Sequence, residues 1–205
     1  ELELGDYESA KADFDQAISM DPKNYDRLIE IYEVLAAHGY REVGQEYLQN
    51  VLDTAKQLDA YDSGRIYYYL GEYQKAYLAL DEARDKGGAD SYLYLGRAYA
   101  ATGDYNYASS VYNNYLSKQG PNAEIYNELG LCEMAKKEYQ NALAAFQAGK
   151  QIEGNSLMQT LCFNEIVAYE YLEDYQQAEV LMNAYLQNYP DDQTAIREQQ
   201  FLSTR

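Results

Sequence analysis

Arg65 and Arg97 stand 32 residues apart in a chain with 34 acidic and 16 basic side chains. Two guanidiniums so spaced can grip a partner's carboxylate bidentately. They can equally be taken up by neighbouring Asp and Glu, where an exposed pair contributes only ~0 to 1 kcal/mol. Both readings are open from the sequence. Covalent and acid–base chemistry have less to draw on. The single histidine, His38, immediately precedes Gly39 and suits a helix C-terminus near the last carbonyls better than a general base. Cys132 and Cys162 lie 30 residues apart, outside any CxxC pair, so zinc and thioredoxin-like chemistry have no support. Two small apolar side chains on helices is the favoured reading of them, and a disulfide the lesser one. The stretch from Asp85 to Asp90 is a turn without the alternating oxygen ligands of a calcium loop. There is no HExxH, no G-x-S-x-G and no glycine-rich phosphate loop. The expectation is a non-enzymatic chain that uses no metal and no cofactor.

The net charge of −18 repels phosphate backbones and anionic lipid, which disfavours nucleic acid as a partner. No apolar run approaches the ~20 residues of a membrane span, so direct membrane insertion is not expected, and no signal peptide is legible. The chain starts at Glu1, which suggests a mature or excised piece with a segment upstream. With 47% apolar and 24% charged residues the composition is that of a folded chain. Twenty-five tyrosines against 4 phenylalanines and no tryptophan supply large rings with a polar tip, suited to surfaces buried at one end.

The elements that position these side chains emerge from a repeat. Tyrosine, two variable residues and alanine recur as YESA at Tyr7, YQKA at Tyr73, YNYA at Tyr105, YQNA at Tyr139 and YQQA at Tyr175. Intervals of 32, 34 and 36 residues separate the last four, and REVG at Arg41 fills the gap, so six units are in register. A glycine lies two residues upstream at Gly5, Gly39, Gly71 and Gly103, where it ends a first helix in a left-handed turn. A bulky residue follows the alanine by four at Phe14, Leu48, Leu80, Tyr112, Phe146 and Met182. Another small residue stands nine upstream of the tyrosine, at Gly64, Gly96 and Gly130. A mid-helix glycine costs about 1 kcal/mol relative to alanine, which makes sense where a neighbouring helix needs the space. Pro22, Pro121 and Pro190 fall at or near unit ends.

These columns resemble the tetratricopeptide repeat, most clearly in the stretches Leu4 to Pro22 and Leu93 to Leu116. The resemblance covers essentially the whole chain. It departs where the family's first-helix tryptophan is replaced by Leu28, Ala60, Tyr92, Tyr126 and Cys162, and where the turn glycine becomes Lys137 and Glu173. The implied fold is all-α, a right-handed superhelical solenoid of antiparallel helix pairs with about five and a half repeats. It reads as one domain, with a half unit at 1–24, units at 25–56, 57–88, 89–122, 123–158 and 159–192, and a C-terminal helix in 193–205.

In the resembling family the first helices line the concave side and hold extended peptides. The corresponding groove residues here are Tyr61, Arg65, Tyr68, Tyr69, Leu93, Arg97, Asn127, Leu131, Met134, Phe163 and Val167. Each could instead be packing: Tyr67, Tyr99 and Tyr169 fall on the core side, and Tyr61, Tyr68 and Tyr69 can cover neighbouring helices with their hydroxyls in water. The leading expectation is a protein–protein interaction module whose groove takes a partner protein or peptide, with the two arginines selecting carboxylates. A structural spacer stacking through its ends and a small-molecule or glycan binder on the tyrosine wall are the alternatives. The family's lysine and asparagine clamp for C-terminal carboxylates is not reproduced, since those sites hold Tyr61 with Arg65 and Leu93 with Arg97. The tyrosine-rich, cysteine-poor composition looks similar to repeat regions of bacterial membrane-tethered proteins, which favours an extracytoplasmic location over a cytoplasmic one.

Overall fold

The computed structural model describes residue 2 and residues 6–205. Among them are twelve α-helices and no strand: α1 (Tyr7–Met20), α2 (Tyr25–Ala37), α3 (Arg41–Thr54), α4 (Ala60–Tyr69), α5 (Tyr73–Asp85), α6 (Ser91–Ala101), α7 (Tyr105–Gln119), α8 (Ala123–Ala135), α9 (Tyr139–Lys150), α10 (Met158–Tyr171), α11 (Tyr175–Asn188) and α12 (Gln193–Leu202). The odd-numbered helices begin on the first residue of each repeated tetrapeptide. Leu4 and the expected turn glycine Gly5 lie outside the described residues.

The same turn is built five times. At the first of them Gly39 takes φ +85°, its N–H donates to Ala36 O and the next N–H, of Tyr40, donates to Leu35 O at 2.8 Å. This double bond satisfies the carbonyls that the end of a helix leaves open. Gly71 and Gly103 repeat it at φ +79° and +83°. Where the glycine is missing the turn persists: Lys137 sits at φ +64° and Glu173 at +61°, with their N–H groups donating to Met134 O and Glu170 O. A side chain in the left-handed region costs roughly 1 to 2 kcal/mol, so tertiary packing imposes this geometry against local preference. At two of the five turns the next residue, an aspartate, caps the following helix with its side chain. Asp104 accepts from the N–H of Tyr107 at 3.1 Å and Asp174 from that of Gln177 at 3.1 Å, so part of the chain's acidity sits where helix N-termini favour it.

Packing divides into two compact units, Glu1–Tyr94 and Leu95–Arg205. In the first, α2 packs on α3 and α4 on α5, around Leu28, Ile29, Tyr32, Leu48 and Ile66. In the second, α7 through α12 pack in succession, with Phe146 and Leu161 in one cluster and Ile166, Met182 and Tyr185 in the next. The columns found in the sequence meet inside each helix pair. A Cβ built on Gly64 would lie 2.5 Å from Leu80 Cγ, on Gly96 2.3 Å from the Tyr112 ring, and on Gly130 2.3 Å from the Phe146 ring. The first-helix glycine is therefore the notch that admits the bulky residue of the second helix. At 25–56 Tyr32 stands where the glycine would be and Gly44 where the alanine would be. A Cβ on Gly44 would come within 2.9 Å of Tyr32 Cδ2, so here the second helix gives up its Cβ to make room for the ring.

Ala108 and Ala142 are fully buried, as the register requires. Replacing Ala108 by leucine overpacks the helix pair and should cost about 1 to 3 kcal/mol, measured by denaturant unfolding, whereas Gln176→Leu on an exposed site should change stability far less. Lys137→Gly and Glu173→Gly should each raise stability by about 0.5 to 1 kcal/mol, the relief of strain less the extra entropy of an unfolded glycine. Unchanged or lowered midpoints would contradict that balance.

Candidate interaction surface

In the first unit, Tyr61, Arg65, Tyr68 and Tyr69 project from α4 into one cluster, joined by Tyr94 at the start of α6. The Arg65 guanidinium lies 4.4 Å from the centre of the Tyr61 ring and 5.8 Å from that of Tyr94. Its two terminal nitrogens donate to Asp26 on α2 and to Asp62 one turn earlier on α4. Burial by itself would lower the pKa of Arg65, but the bonds to these carboxylates outweigh it and hold the group protonated. The residue is only 6% exposed, so it acts as a buried tie between two first helices. Its Nε has no partner, which leaves one buried donor unsatisfied.

The rings around it touch edge to face. Centroid separations are 6.2 Å for Tyr61 and Tyr94, 5.8 Å for Tyr68 and Tyr94, and 5.1 Å for Tyr68 and Tyr69. Tyr69 also meets Tyr32 at 5.2 Å and donates its hydroxyl to Glu33 at 2.6 Å. Burial, then the bond to Glu33, pushes the Tyr69 phenol up, and burial pushes that of Tyr61 up to about 12. Both rings therefore stay neutral and keep their proton. Tyr68 and Tyr69 wall an open cleft of about 370 Å³ in the same unit, whose lining also includes Glu33, Ala36, Arg41 and Gln45. Leu93, also in this unit, is partly buried.

In the second unit Arg97 forms its own network. Nε and Nη2 donate to Glu128 at 3.0 and 2.7 Å, and Nη2 reaches Glu124 at 3.0 Å. Asn127 is buried and accepts from Asn164 at 2.9 Å. Phe163 packs edge-on to Tyr185 at 5.7 Å, and Met134 packs against the Phe146 cluster. Val167 is partly buried, and Leu131 is the most open of these sites, at 43%. Of the expected groove residues, Phe163, Met134 and Tyr69 pack against core clusters, Asn127 is buried, and Tyr68 and Tyr69 also line the cleft.

Sequence reasoning missed Tyr94, Asp26 and Asp62, while Glu33 was placed in the same groove column as Arg65. Tyr94 adjoins the column that holds Leu93, and Asp62 stands one helical turn before Arg65, a spacing that signals an ion pair. Asp26 had no local signal, being 39 residues away. His38 stands at a helix end as expected, its Nδ1 2.9 Å from Val34 O. Both cysteines are free, and burial pushes the thiol of Cys132 up to about 12.

Two tetratricopeptide repeat family models match the chain, one over residues 61–108 and 95–155 and the other over 2–24. The chain belongs to the tetratricopeptide repeat family. No curated protein sequence matches it. Among solved structures, TTC0263, a thermophilic TPR protein of Thermus thermophilus, is 16% identical with a TM-score of 0.67, covering 88% of this chain and 100% of that one. YrrB, a TPR protein with an unusual peptide-binding site, is 18% identical with a TM-score of 0.59, covering 91% and 97%. The Cut9–Hcn1 hetero-tetramer of APC/C matches at 17% identity and a TM-score of 0.64, and there 99% of this chain spans 40% of the longer one. At such identities the shared feature is the fold. Repeats of this family are in general non-enzymatic scaffolds for protein–protein interaction. No helix among the described residues is long and apolar enough to cross a membrane.

At the far end of this repeat array, Glu170 of α10 occupies the column that holds Tyr68 in the first unit. Its Oε1 is buried without a conventional partner. Burial first, and then the neighbouring Glu198 of α12, push the Glu170 carboxyl up to about 7. A raised acid pKa means that the folded state holds its proton more tightly than the unfolded state. The associated stability is complete below the ordinary carboxyl range and is lost as pH rises through about 7. Glu170→Gln should remove this loss and raise stability at pH 7.5 by roughly 1 kcal/mol after solvent screening, with no gain at pH 4.5. Parallel unfolding curves of the two proteins across that range would refute the assignment.

Proposed function

We propose that this tetratricopeptide repeat chain is a non-enzymatic interaction module that holds an extended segment of a partner protein on the first-helix face of its N-terminal unit. The observation that carries this reading is the cluster of Tyr61, Tyr68, Tyr69 and Tyr94, whose rings stand edge to face at 5.1 to 6.2 Å. Neighbouring rings hold each of them in place, so a partner loses affinity to little side-chain ordering on this side. Partly buried tyrosines with polar tips are also the type of residue that concentrates binding energy at interfaces. The cleft beside Tyr68 and Tyr69 gives a partner side chain somewhere to enter. The peptide-binding site named for YrrB is consistent with a groove role on this fold.

The arginines enter this reading as structure. Arg65 already holds Asp26 and Asp62, and Arg97 holds Glu124 and Glu128, so a partner carboxylate would have to displace a carboxylate of the chain itself. The selection of acidic segments expected from the sequence therefore loses its physical basis, and recognition falls to the rings.

The test is hydrogen exchange of the chain with and without a partner captured from its source cells, followed by capture with Tyr68→Ala. Protection should concentrate in α4 and at the start of α6, and the variant should weaken binding by about 1 to 3 kcal/mol while melting like the parent. Protection confined to the chain's terminal helices would favour the spacer reading. Undiminished capture by Tyr68→Ala would place the partner elsewhere.

A further inference from the structure

We propose that the segment held on this face is cationic, an extended stretch whose arginine or lysine side chains alternate with apolar ones. The inference rests on the reading of the face as the partner surface and adds the chemistry of what binds there.

The face already contains one bound guanidinium. Arg65 lies between the rings of Tyr61 and Tyr94 with a carboxylate on each of its terminal nitrogens. That is the set of contacts a cation seeks: electron-rich ring faces and carboxylates at hydrogen-bond distance. The neighbouring cleft offers the same two kinds of group to a cation from outside. Tyr68 and Tyr69 form its wall, and Glu33 stands at its edge, bonded to the Tyr69 hydroxyl through Oε1.

Charge around the rings points the same way. Asp26, Glu33, Asp59 and Asp90 are exposed and Asp62 is partly buried. Asp26 and Asp90 both act electrostatically on Tyr61. Against these five stand Arg65, buried within the cluster, and Arg41, which donates to the Tyr32 hydroxyl at the cleft's other side. The balance is negative by three (two minus five). The Asp26 side chain is 77% exposed although it is tied to Arg65, so one of its faces remains open to a second cation. An acidic segment would meet this field as repulsion, and a basic one as attraction that also fixes register.

A general acidity of −18 could attract any polycation, so the test must separate local from diffuse attraction. The full chain is titrated into fluorescein-labelled peptides of alternating arginine and leucine, with lysine, glutamate and serine counterparts, and anisotropy is read. The arginine and lysine peptides should bind, the serine peptide weakly, and the glutamate peptide not at all. Asp26→Asn with Glu33→Gln should weaken the arginine peptide about tenfold, while Glu153→Gln with Glu179→Gln, which removes the same charge from the other unit, should change it less than about twofold. Thermal melts establish that both double variants are folded, and Glu33→Gln alone, expected to lose about threefold, serves if the first is not. Equal losses from the two double variants, no binding of the arginine peptide, or tighter binding of the glutamate peptide would each overturn the proposal. The two readings fail differently. If the glutamate or serine peptide binds best and Tyr68→Ala abolishes it, the face is the partner surface and only the charge inference falls. If Tyr68→Ala leaves the arginine peptide's affinity unchanged, both fall.

Discussion

A glycine notch receiving a bulky side chain is the constraint on which the helix pairs depend. In three of the pairs the first helix gives up its Cβ to let its partner approach, at Gly64, Gly96 and Gly130 opposite Leu80, Tyr112 and Phe146. The mid-helix glycine weakens its own helix, and burial of the opposing side chain, worth about 1.5 to 3 kcal/mol each, more than compensates. At 25–56 the notch lies in the second helix instead, where Gly44 makes room for the Tyr32 ring. Once the pair is closed, the turn joining its helices has one available geometry. Lys137 and Glu173 adopt it although their side chains oppose it, because the packing on either side leaves no other path.

The same closeness positions the surface. With the helices of the N-terminal unit held at this spacing, Arg65 on α4 reaches Asp26 on α2, and Tyr94 reaches the rings of Tyr61, Tyr68 and Tyr69. Arg65 is then a tie across the unit, one that both screens and organises the acidic groups around it. Isolated surface ion pairs contribute little. This one is sheltered by two rings and shared between two carboxylates, so its role is to fix where those rings and carboxylates stand. The result is a cluster of rings and carboxylates gathered around one buried guanidinium.

How much of this was legible in sequence follows from the range of each interaction. The helix pairs, the register of the alanine and bulky columns, the left-handed glycines, and His38 at a helix end were all readable. Each depends on residue type at a fixed local spacing, and period arises from backbone geometry common to every unit. The turns at Lys137 and Glu173 were partly legible, since the flanking columns kept register where the glycine was lost.

The composition by itself decided that the surfaces would be tyrosine-rich and acidic, and the spacing decided which positions share a helix face. Which of those positions work as surface and which as core was a tertiary outcome. Phe163 and Met134 occupy groove columns and touch core clusters, whereas Tyr69 touches a core cluster and, with Tyr68, also lines a cleft. The charge character of the face was tertiary as well. In one dimension Arg65 and Arg97 read as a positive centre within an acidic chain. In three dimensions each meets carboxylates of the chain itself, some of them 27 to 39 residues away in sequence. Electrostatic energy depends on distance through space, which a repeat period conveys for neighbours on one helix but not for partners brought together by the packing of one helix on another.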